Sequence, residues 1–190
     1  MSRILIVDDE IAILHALKRL LRLVPCTYAN KTFPIAVETF SSPKAALERI
    51  AHTPFDLILT DYRMPEMDGV ALLTQVRAVQ PDIARLILSG YADLNVLVRA
   101  INDVEIYRFI AKPWNDYELV AAIAQALHNR ELLLENRRLA DEARAETGTL
   151  SAEELESKRL EALEPGITRV NWGPDGSVIL DPEFQDLDET

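Results

Sequence analysis

Leu57-Ile58-Leu59-Thr60-Asp61 begins with three consecutive apolar residues and ends in an acid. An earlier stretch, Ile4-Leu5-Ile6-Val7-Asp8-Asp9, has the same form. A half-exposed strand alternates apolar and polar residues, so continuous apolar runs of this length indicate strands that are buried on both faces. Such strands belong to parallel sheets covered by helices on both sides. The two stretches therefore predict an α/β domain.

The remainder of the first 115 residues supports this fold, because short apolar runs alternate with segments of helical period. The predicted strands are residues 4–7, 36–40, 57–60, 85–89 and 107–110. The predicted helices are residues 11–23, 43–52, 70–79 and 94–103. This element order predicts a flavodoxin-like, doubly wound, five-stranded parallel sheet with strand order 2-1-3-4-5.

A long helix is predicted to follow the fifth strand. Asn115, with Glu118 three residues later, forms a capping-box pattern near Trp114, and no glycine or proline follows until Gly148. The helix should reach about residue 145, which is longer than the sheet domain needs.

The last 40 residues predict a short helix and a terminal β-hairpin. Ser151 and Glu154 form a second capping-box pattern, and Pro165-Gly166 ends the helix that it begins. Two strand-like runs, 168–172 and 177–181, are joined by a loop rich in glycine, proline and aspartate. We therefore expect one domain over residues 1–128 and an extension over residues 129–190.

Charge is distributed unevenly over the chain. The net charge is −11, and residues 147–190 contain eleven acidic residues against three basic ones, so this segment carries −8 of the total. An acidic segment repels phosphate backbones. We therefore expect no DNA binding by the extension.

Cysteine content and the N-terminal run bear on location. Cys26 is the only cysteine, so no intrachain disulfide can form, and a reducing compartment is expected. The apolar run 4–7 is too short for a signal-peptide core or a membrane span. We expect a cytoplasmic protein with no membrane association.

Three acids follow predicted strands. Asp8 and Asp9 follow the first strand, and Asp61 follows the third. Carboxyl ends of parallel strands meet at the ligand-binding edge of an open sheet. Clustered carboxylates favour Mg²⁺, beside which one carboxylate can attack phosphorus while the others hold the ion. The alternative for Asp8 and Asp9 alone is that they are solvated loop residues or helix caps.

Two further polar residues end predicted strands. Ser89 ends the fourth strand and could donate a hydrogen bond to a phosphoryl oxygen. Lys112 follows the fifth strand and could supply a positive charge to the same group. Lys112 precedes Pro113, and a cis bond there is one way to direct the ammonium inward.

Four segments together resemble the signature of response-regulator receiver domains (the CheY-like superfamily). They are Ile4-Leu-Ile-Val-Asp8-Asp9-Glu10, Leu57-Ile-Leu-Thr-Asp61-Tyr-Arg-Met-Pro65-Glu-Met-Asp-Gly69, Leu88-Ser89-Gly90 and Phe109-Ile-Ala-Lys112-Pro113. The resemblance covers about residues 3–128. A single fragment would be weak, whereas four in order at the family's spacing are specific.

The resemblance implies a set of roles. Asp61 would accept the phosphoryl group from a sensor histidine kinase, and Asp8, Asp9 and Asp61 would bind Mg²⁺ with the backbone carbonyl of Arg63. Lys112 would bind the phosphoryl group, and Ser89 would be the switch hydroxyl. The protein would then be no enzyme beyond catalysing its own phosphorylation and dephosphorylation.

Phe109 matches the family's switch aromatic, which fills the space that Ser89 leaves on phosphorylation. The alternative is a plain core residue. We expect Phe109 and Tyr107 to point to the same face of their strand, because they are two residues apart. Tyr91, two residues after Ser89, is hypothesised to shield the acyl phosphate from water.

The stretch 24–35 is longer than the usual connection in this family. It should lie away from the site and could be either an ornament or a partner contact. Within it, Cys26 has no activating neighbour and is expected to be inert.

The long helix contains a spacing typical of a short coiled-coil seam. The positions are Asn129, Leu132, Asn136, Leu139 and Ala143. They predict a homodimer, with Asn136 setting the register. The alternative is an amphipathic helix that folds back on its own domain.

Three outputs remain open from the sequence. The first is a regulator that signals by contact with an unknown downstream protein or by dimerisation. The second is a receiver of a larger or truncated regulator, because 107–114 followed by a long helix also resembles receivers linked to cyclic-di-GMP phosphodiesterases of the HD-GYP type and to some sensory kinases. We expect no such output in the residues that follow, because about 40 residues are too few to hold one. Transcriptional regulation through DNA is the third and least favoured.

Overall fold

A computed structural model of the chain describes residues 1–90, 104–146 and 151–163. Its centre is a five-stranded parallel sheet. The strands are β1 (Ser2–Val7), β4 (Ile35–Phe40), β5 (Leu57–Asp61), β6 (Ala84–Ser89) and β7 (Arg108–Ala111). They lie in the order β4-β1-β5-β6-β7. Counted along the five parallel strands this order is 2-1-3-4-5, so the predicted fold is confirmed.

The sheet is covered on both faces. The helices over it are α1 (Ile11–Leu23), α2 (Pro43–His52), α3 (Gly69–Val79) and the first part of α4 (Asp116–Glu146). Ile4 and Ile6 pack with residues of α1 and α4, whereas Leu5 and Val7 pack with residues of α2 and α3. Because successive strand residues face opposite sides, a run apolar at every position is what a two-sided core requires.

The segment between α1 and β4 contains two strands that were not predicted from the sequence. They are β2 (Cys26–Tyr28) and β3 (Lys31–Phe33), which pair antiparallel as a hairpin. Cys26 and Phe33 are buried in the core with α1 and α4. The exposed strand residues, such as Thr27 and Thr32, do not alternate with apolar residues over a recognisable length, which hides the hairpin from pattern analysis.

The hairpin also contacts α4 through its polar groups. Lys31 forms an ion pair with Glu131 at 2.6 Å, and the Gln125 amide donates to the Tyr28 hydroxyl at 3.2 Å. The ring of Tyr28 lies 5.4 Å from that of His128. The hairpin therefore fixes two turns of the long helix to the sheet domain.

Both predicted helix caps are formed. Asn115 accepts hydrogen bonds from the backbone N–H groups of Tyr117 and Glu118, at the start of α4. Ser151 and Glu154 exchange hydrogen bonds of 2.8 and 3.1 Å at the start of α5 (Ala152–Leu163). These caps satisfy backbone donors that a helix start leaves unpaired, which is why the boundaries follow the prediction within two residues.

The chain divides into two compact units, and the second begins at Asp141, near the end of α4. Within the second unit, Asp141 accepts hydrogen bonds from Arg144 at 3.0 Å and from Lys158 of α5 at 2.9 Å. The predicted boundary between residues 128 and 129 stays a prediction. Among the described helices, none is both long enough and apolar enough to cross a membrane.

One prediction about side-chain direction is wrong. Tyr107 packs with the core on the α1 side of the sheet, whereas Phe109 packs with the core on the α2 side. The strand begins only at Arg108, so its pleat does not extend to Tyr107. The predicted helix 94–103, the hairpin 168–181 and Tyr91 lie outside the described residues.

Candidate functional site

The carboxyl ends of the parallel strands bring the predicted residues to one edge of the sheet. Asp8 follows β1, Asp61 is the last residue of β5, and Ser89 is the last residue of β6. Lys112 directly follows β7, and its backbone N–H donates to the carbonyl of Ser89 at 2.8 Å. Parallel pairing of adjacent strands thus sets the positions of all four residues.

Lys112 joins the two buried carboxylates. Its Nζ lies 2.9 Å from Oδ2 of Asp8 and 2.5 Å from Oδ1 of Asp61. Two carboxylates that contact one ammonium must lie close to each other. The Lys112–Pro113 peptide bond is cis.

The second oxygen of Asp61 is held by the backbone. Oδ2 accepts a hydrogen bond of 2.9 Å from the N–H of Arg63, while Oδ1 faces Lys112. Oδ1 of Asp8 is similarly bonded to the N–H of Glu10. Each carboxylate therefore has one oxygen fixed by its own loop and one directed to the shared ammonium.

Gly69 permits the turn beyond Asp61, a role that was not predicted from the sequence. Its N–H donates to the carbonyl of Tyr62, and a Cβ at this position would collide with the backbone carbonyl of Asp61. Asp68 before it caps α3 by accepting from the N–H of Ala71 at 2.8 Å. The pair Asp68-Gly69 was the available signal, a cap residue followed by a residue without a side chain.

The electrostatics of the site follow from burial. Burial raises the pKa of the Asp8 carboxyl, and the hydrogen bonds from Lys112 and Glu10 offset this only in part. Burial would lower the pKa of Lys112, but its hydrogen bonds to Asp61 and Asp8 outweigh that effect and raise it. Lys112 is therefore a full positive charge at neutral pH.

The predicted metal ligands are only partly gathered. Asp8 and Asp61 meet at Lys112, whereas Asp9 is exposed. Among the described residues, no three acidic, histidine or cysteine side chains are grouped tightly enough to hold an ion. The carboxylates of Asp8 and Asp61 nonetheless outnumber the one ammonium of Lys112 at this edge. Oxygen donors with a net negative charge are ligands that fit Mg²⁺.

The two predicted switch residues lie near the site on adjacent strands. The hydroxyl of Ser89 is buried and donates to the carbonyl of Gly90 at 3.0 Å. Phe109 is half-buried and packs against the core on the α2 side, opposite Ile87 in the pairing register. Cys26 lies on β2 and is buried in the core. Burial raises the pKa of its thiol to about 11, so the thiol stays protonated at neutral pH.

Two acids and a lysine at the carboxyl edge of a doubly wound sheet are typical of one class of signalling domain. Comparison with known proteins identifies the family. The family of response regulator receiver domains matches residues 4–124. This match covers more than half of the chain. The chain therefore belongs to the response regulator receiver domain family.

The curated relatives include transcriptional regulators. The chain is 34% identical over 149 residues to the hydrogenase transcriptional regulatory protein HoxA of Cupriavidus necator, covering 78% of this chain and 29% of that protein. It is 32% identical over 142 residues to the C4-dicarboxylate transport transcriptional regulatory protein DctD of Rhizobium meliloti, covering 75% and 29%. The chain thus spans less than a third of these relatives, and they give no support to the expected absence of DNA binding.

Solved structures agree with the family. One is the signal receiver domain of an HD domain-containing protein from Pseudomonas fluorescens Pf-5, with 34% identity and a TM-score of 0.60. The match covers 68% of this chain and 97% of that one. That structure is of a receiver domain, so the match concerns the receiver.

Proposed function

We propose that this protein is a two-component response regulator that accepts a phosphoryl group on Asp61. The observation that carries the proposal is the shared ammonium, because Lys112 contacts both Asp61 and Asp8 at the carboxyl edge of the sheet. A nucleophilic carboxylate needs a fixed orientation and a positive charge that can accept the incoming phosphoryl oxygens. Both features are present at Asp61.

The proposed donor is the phosphohistidine of a sensor histidine kinase, the usual partner of receiver domains. Oδ1 of Asp61 would attack phosphorus, and the bond from phosphorus to the histidine nitrogen would break. Oδ2 stays bonded to the N–H of Arg63, which keeps the carboxylate from rotating during the attack. Lys112 would then pair with an oxygen of the transferred group.

Asp8, Asp9, Asp61 and the backbone carbonyl of Arg63 would hold Mg²⁺. When bound, the ion supplies positive charge that neutralises the clustered acids and the incoming phosphoryl group. Asp9 is the exposed member of this set, so it could join the site from solvent without breaking a buried contact.

Ser89 and Phe109 would transmit the change. The Ser89 hydroxyl now bonds to the carbonyl of Gly90, and a phosphoryl group on Asp61 would offer it a stronger, charged acceptor. Movement of Ser89 would open space beside β7, which Phe109 could fill from its half-buried position. This is a two-state change in packing.

The proposed output is protein contact, with dimerisation through α4. The seam positions predicted from the sequence are all exposed on this helix, including Leu132 and Leu139, at 48% and 49% exposure.

In the alternative function, the chain is the receiver of a larger regulator, with a cyclic-di-GMP phosphodiesterase, a kinase or a DNA-binding output. The observation in favour of this alternative is that the curated relatives are more than three times as long as the matched region.

Phosphorylation by radiolabelled acetyl phosphate and Mg²⁺ tests the proposal. The parent should take up label, whereas Asp61→Asn should not. Asp68→Asn is the matched control, because it makes the same substitution seven residues away at a helix cap that asparagine can also provide. Labelling of Asp61→Asn equal to that of the parent, or no labelling of the parent, would contradict the proposal.

A further inference from the structure

The outer edge of β4 borders a groove that the receiver chemistry does not use. The groove has a volume of about 410 Å³, and its lining residues are Lys18, Leu21, Arg22, Ile35 and Val37. Leu21, Ile35 and Val37 are apolar and pack with the core, while Lys18 and Arg22 of α1 are exposed. The groove is built on the sheet edge farthest from β7.

β4 is an open edge strand in the described part of the chain. Its one neighbour in the sheet is β1, so the backbone groups on its other side are not engaged in the sheet. Every residue of β4 is only half-buried, whereas β5 is buried throughout. Such an edge is a template for an added strand.

Natural edge strands usually carry charges or prolines that discourage pairing, and β4 has little such protection. Its six residues include no proline and one charged residue, Glu38. The Glu38 carboxylate is already bonded to Arg3 at 2.7 Å and to Arg49 at 2.9 Å. The edge therefore remains open to a strand.

Lys18 and Arg22 favour an acidic ligand. Neither cation has an ion-pair partner among residues 1–90, 104–146 and 151–163. They are four residues apart on α1, where side chains lie one above the other about 5–6 Å apart. Side chains two apart on one face of a strand are about 6.6 Å apart, so two acids at that spacing match the two cations.

We propose that this groove binds an extended, acidic segment of a partner protein as an additional strand on β4. Backbone hydrogen bonds to β4 would supply the pairing, and the two acids would select the ligand by contact with Lys18 and Arg22. An apolar residue at the next position on the same face would cover Leu21 and Val37. Pairing of two copies through this edge is disfavoured, because it would bring Lys18 and Arg22 of both copies together.

A synthetic peptide, acetyl-Thr-Glu-Thr-Glu-Thr-Val-Thr-amide with a fluorescent label, is the probe. We expect fluorescence anisotropy to show saturable binding to the full chain, weakened by added salt. The double variant Lys18→Glu/Arg22→Glu should bind about tenfold more weakly or worse. Arg19→Glu is the matched control, since Arg19 is exposed on the same helix but does not line the groove, and it should bind as the parent does.

Two further peptides separate strand addition from charge attraction. A peptide with lysine in place of both glutamates should not bind. A peptide N-methylated at alternate residues, which keeps the charges and removes backbone donors, should lose about tenfold in affinity or more. Lys18→Gln/Arg22→Gln, which avoids charge reversal, replaces the double variant if that one does not fold.

The proposal is overturned if the glutamate probe fails to saturate the parent at millimolar concentration. It is also overturned if the double variant binds like the parent, if Arg19→Glu weakens binding as much, or if N-methylation has no effect. Because Asp61 is not involved, these results are independent of whether the chain accepts a phosphoryl group.

Discussion

Asp8 is fully buried, and its charge is balanced by Lys112, which also contacts Asp61. Removing a carboxylate from water costs desolvation free energy. The attraction to a lysine that is shared with a second carboxylate does not fully offset this cost. A charge at this cost is more consistent with a binding or catalytic role than with stability. The charge of Asp8 is thus unfavourable for the stability of the fold but is needed for the proposed function.

Asp8→Asn should therefore raise the free energy of unfolding at neutral pH, by about 1 kcal/mol. The amide keeps the shape of the side chain and removes the buried charge, and Lys112 keeps its contact with Asp61. Urea unfolding in the presence of a chelator measures the change. The same variant should lose labelling by acetyl phosphate. A variant less stable than the parent would show that the ion pair with Lys112 stabilises the fold.

Gly69→Ala should lower the free energy of unfolding by about 2 kcal/mol. The added Cβ would collide with the backbone carbonyl of Asp61, which cannot move without displacing the end of β5. Thr74→Ala, an exposed change on the same helix α3, is the control and should stay within about 0.5 kcal/mol of the parent. Urea unfolding checks both. An unchanged midpoint for Gly69→Ala would mean that the turn adjusts freely.

At the scale of elements, the five parallel strands were predictable because a strand buried on both faces is apolar at nearly every position. Leu57-Ile58-Leu59 carries that signal by itself. The hairpin β2–β3 was not predictable, because its position depends on the burial of Cys26 and Phe33 in the core, which a three-residue strand does not reveal as a pattern. Its turn also lacks the glycine that marks most two-residue hairpins.

The turn of the hairpin is open to improvement. Ala29 and Asn30 have φ values of 49° and 61°, and positive φ at both central residues is the requirement of a type I′ turn. Alanine pays a steric cost there that asparagine or glycine largely avoids. The double variant Ala29→Asn/Asn30→Gly should raise the free energy of unfolding by about 1 kcal/mol. Equal melting temperatures for variant and parent would contradict this reasoning.

Glu38 of β4 forms ion pairs with Arg3 of β1 and Arg49 of α2. Because these pairs change the pKa of Glu38, they make the stability of the fold depend on pH. Hydrogen bonds from Arg49, with a further contribution from Arg3, hold the pKa of Glu38 below its usual 4.5 despite partial burial. A lowered pKa stabilises the fold above the unfolded value, and this stabilisation is lost as the pH falls through the folded value.

Glu38→Gln should accordingly cost up to about 1 kcal/mol at pH 7, because the pairs are partly exposed. The cost should be constant well above pH 4.5 and should vanish in more acidic solution. Glu48→Gln, an exposed change on α2, should show no such trend. Unfolding curves across the pH range make the comparison. A cost for Glu38→Gln that persists in acid would assign it to packing.

For the molecule as a whole, the sequence predicted the positions of four proposed site residues better than the conformation of the segments around them. Asp8, Asp61, Ser89 and Lys112 could be placed because parallel strand ends share one edge. The exposure of Asp9 and the opposite faces of Tyr107 and Phe109 depend on where each loop meets its strand, which periodicity does not determine.

The long helix α4 was also predicted only in part. Its ends were predicted from capping patterns, but its contacts with the sheet domain were not. Arg130 forms an ion pair with Asp56 at 2.7 Å and also bonds to the carbonyl of Asp82, and Arg137 reaches the carboxylate of Asp82. These contacts attach the helix to the sheet domain, and the seam residues remain exposed. Within the described structure, the helix does not bury its seam against its own domain.

The exposed seam gives the last prediction, on self-association. Leu132→Glu/Leu139→Glu should fold like the parent, because both side chains are about half exposed, and should be monomeric where the parent is dimeric. Tyr117→Glu is the matched control, an exposed residue on the same helix outside the seam that should leave the dimer intact. Light scattering with and without beryllofluoride and Mg²⁺ measures both mass and its dependence on the activated state. A parent that stays monomeric in both conditions would exclude the seam as a dimer contact and would favour a receiver that signals through a different partner.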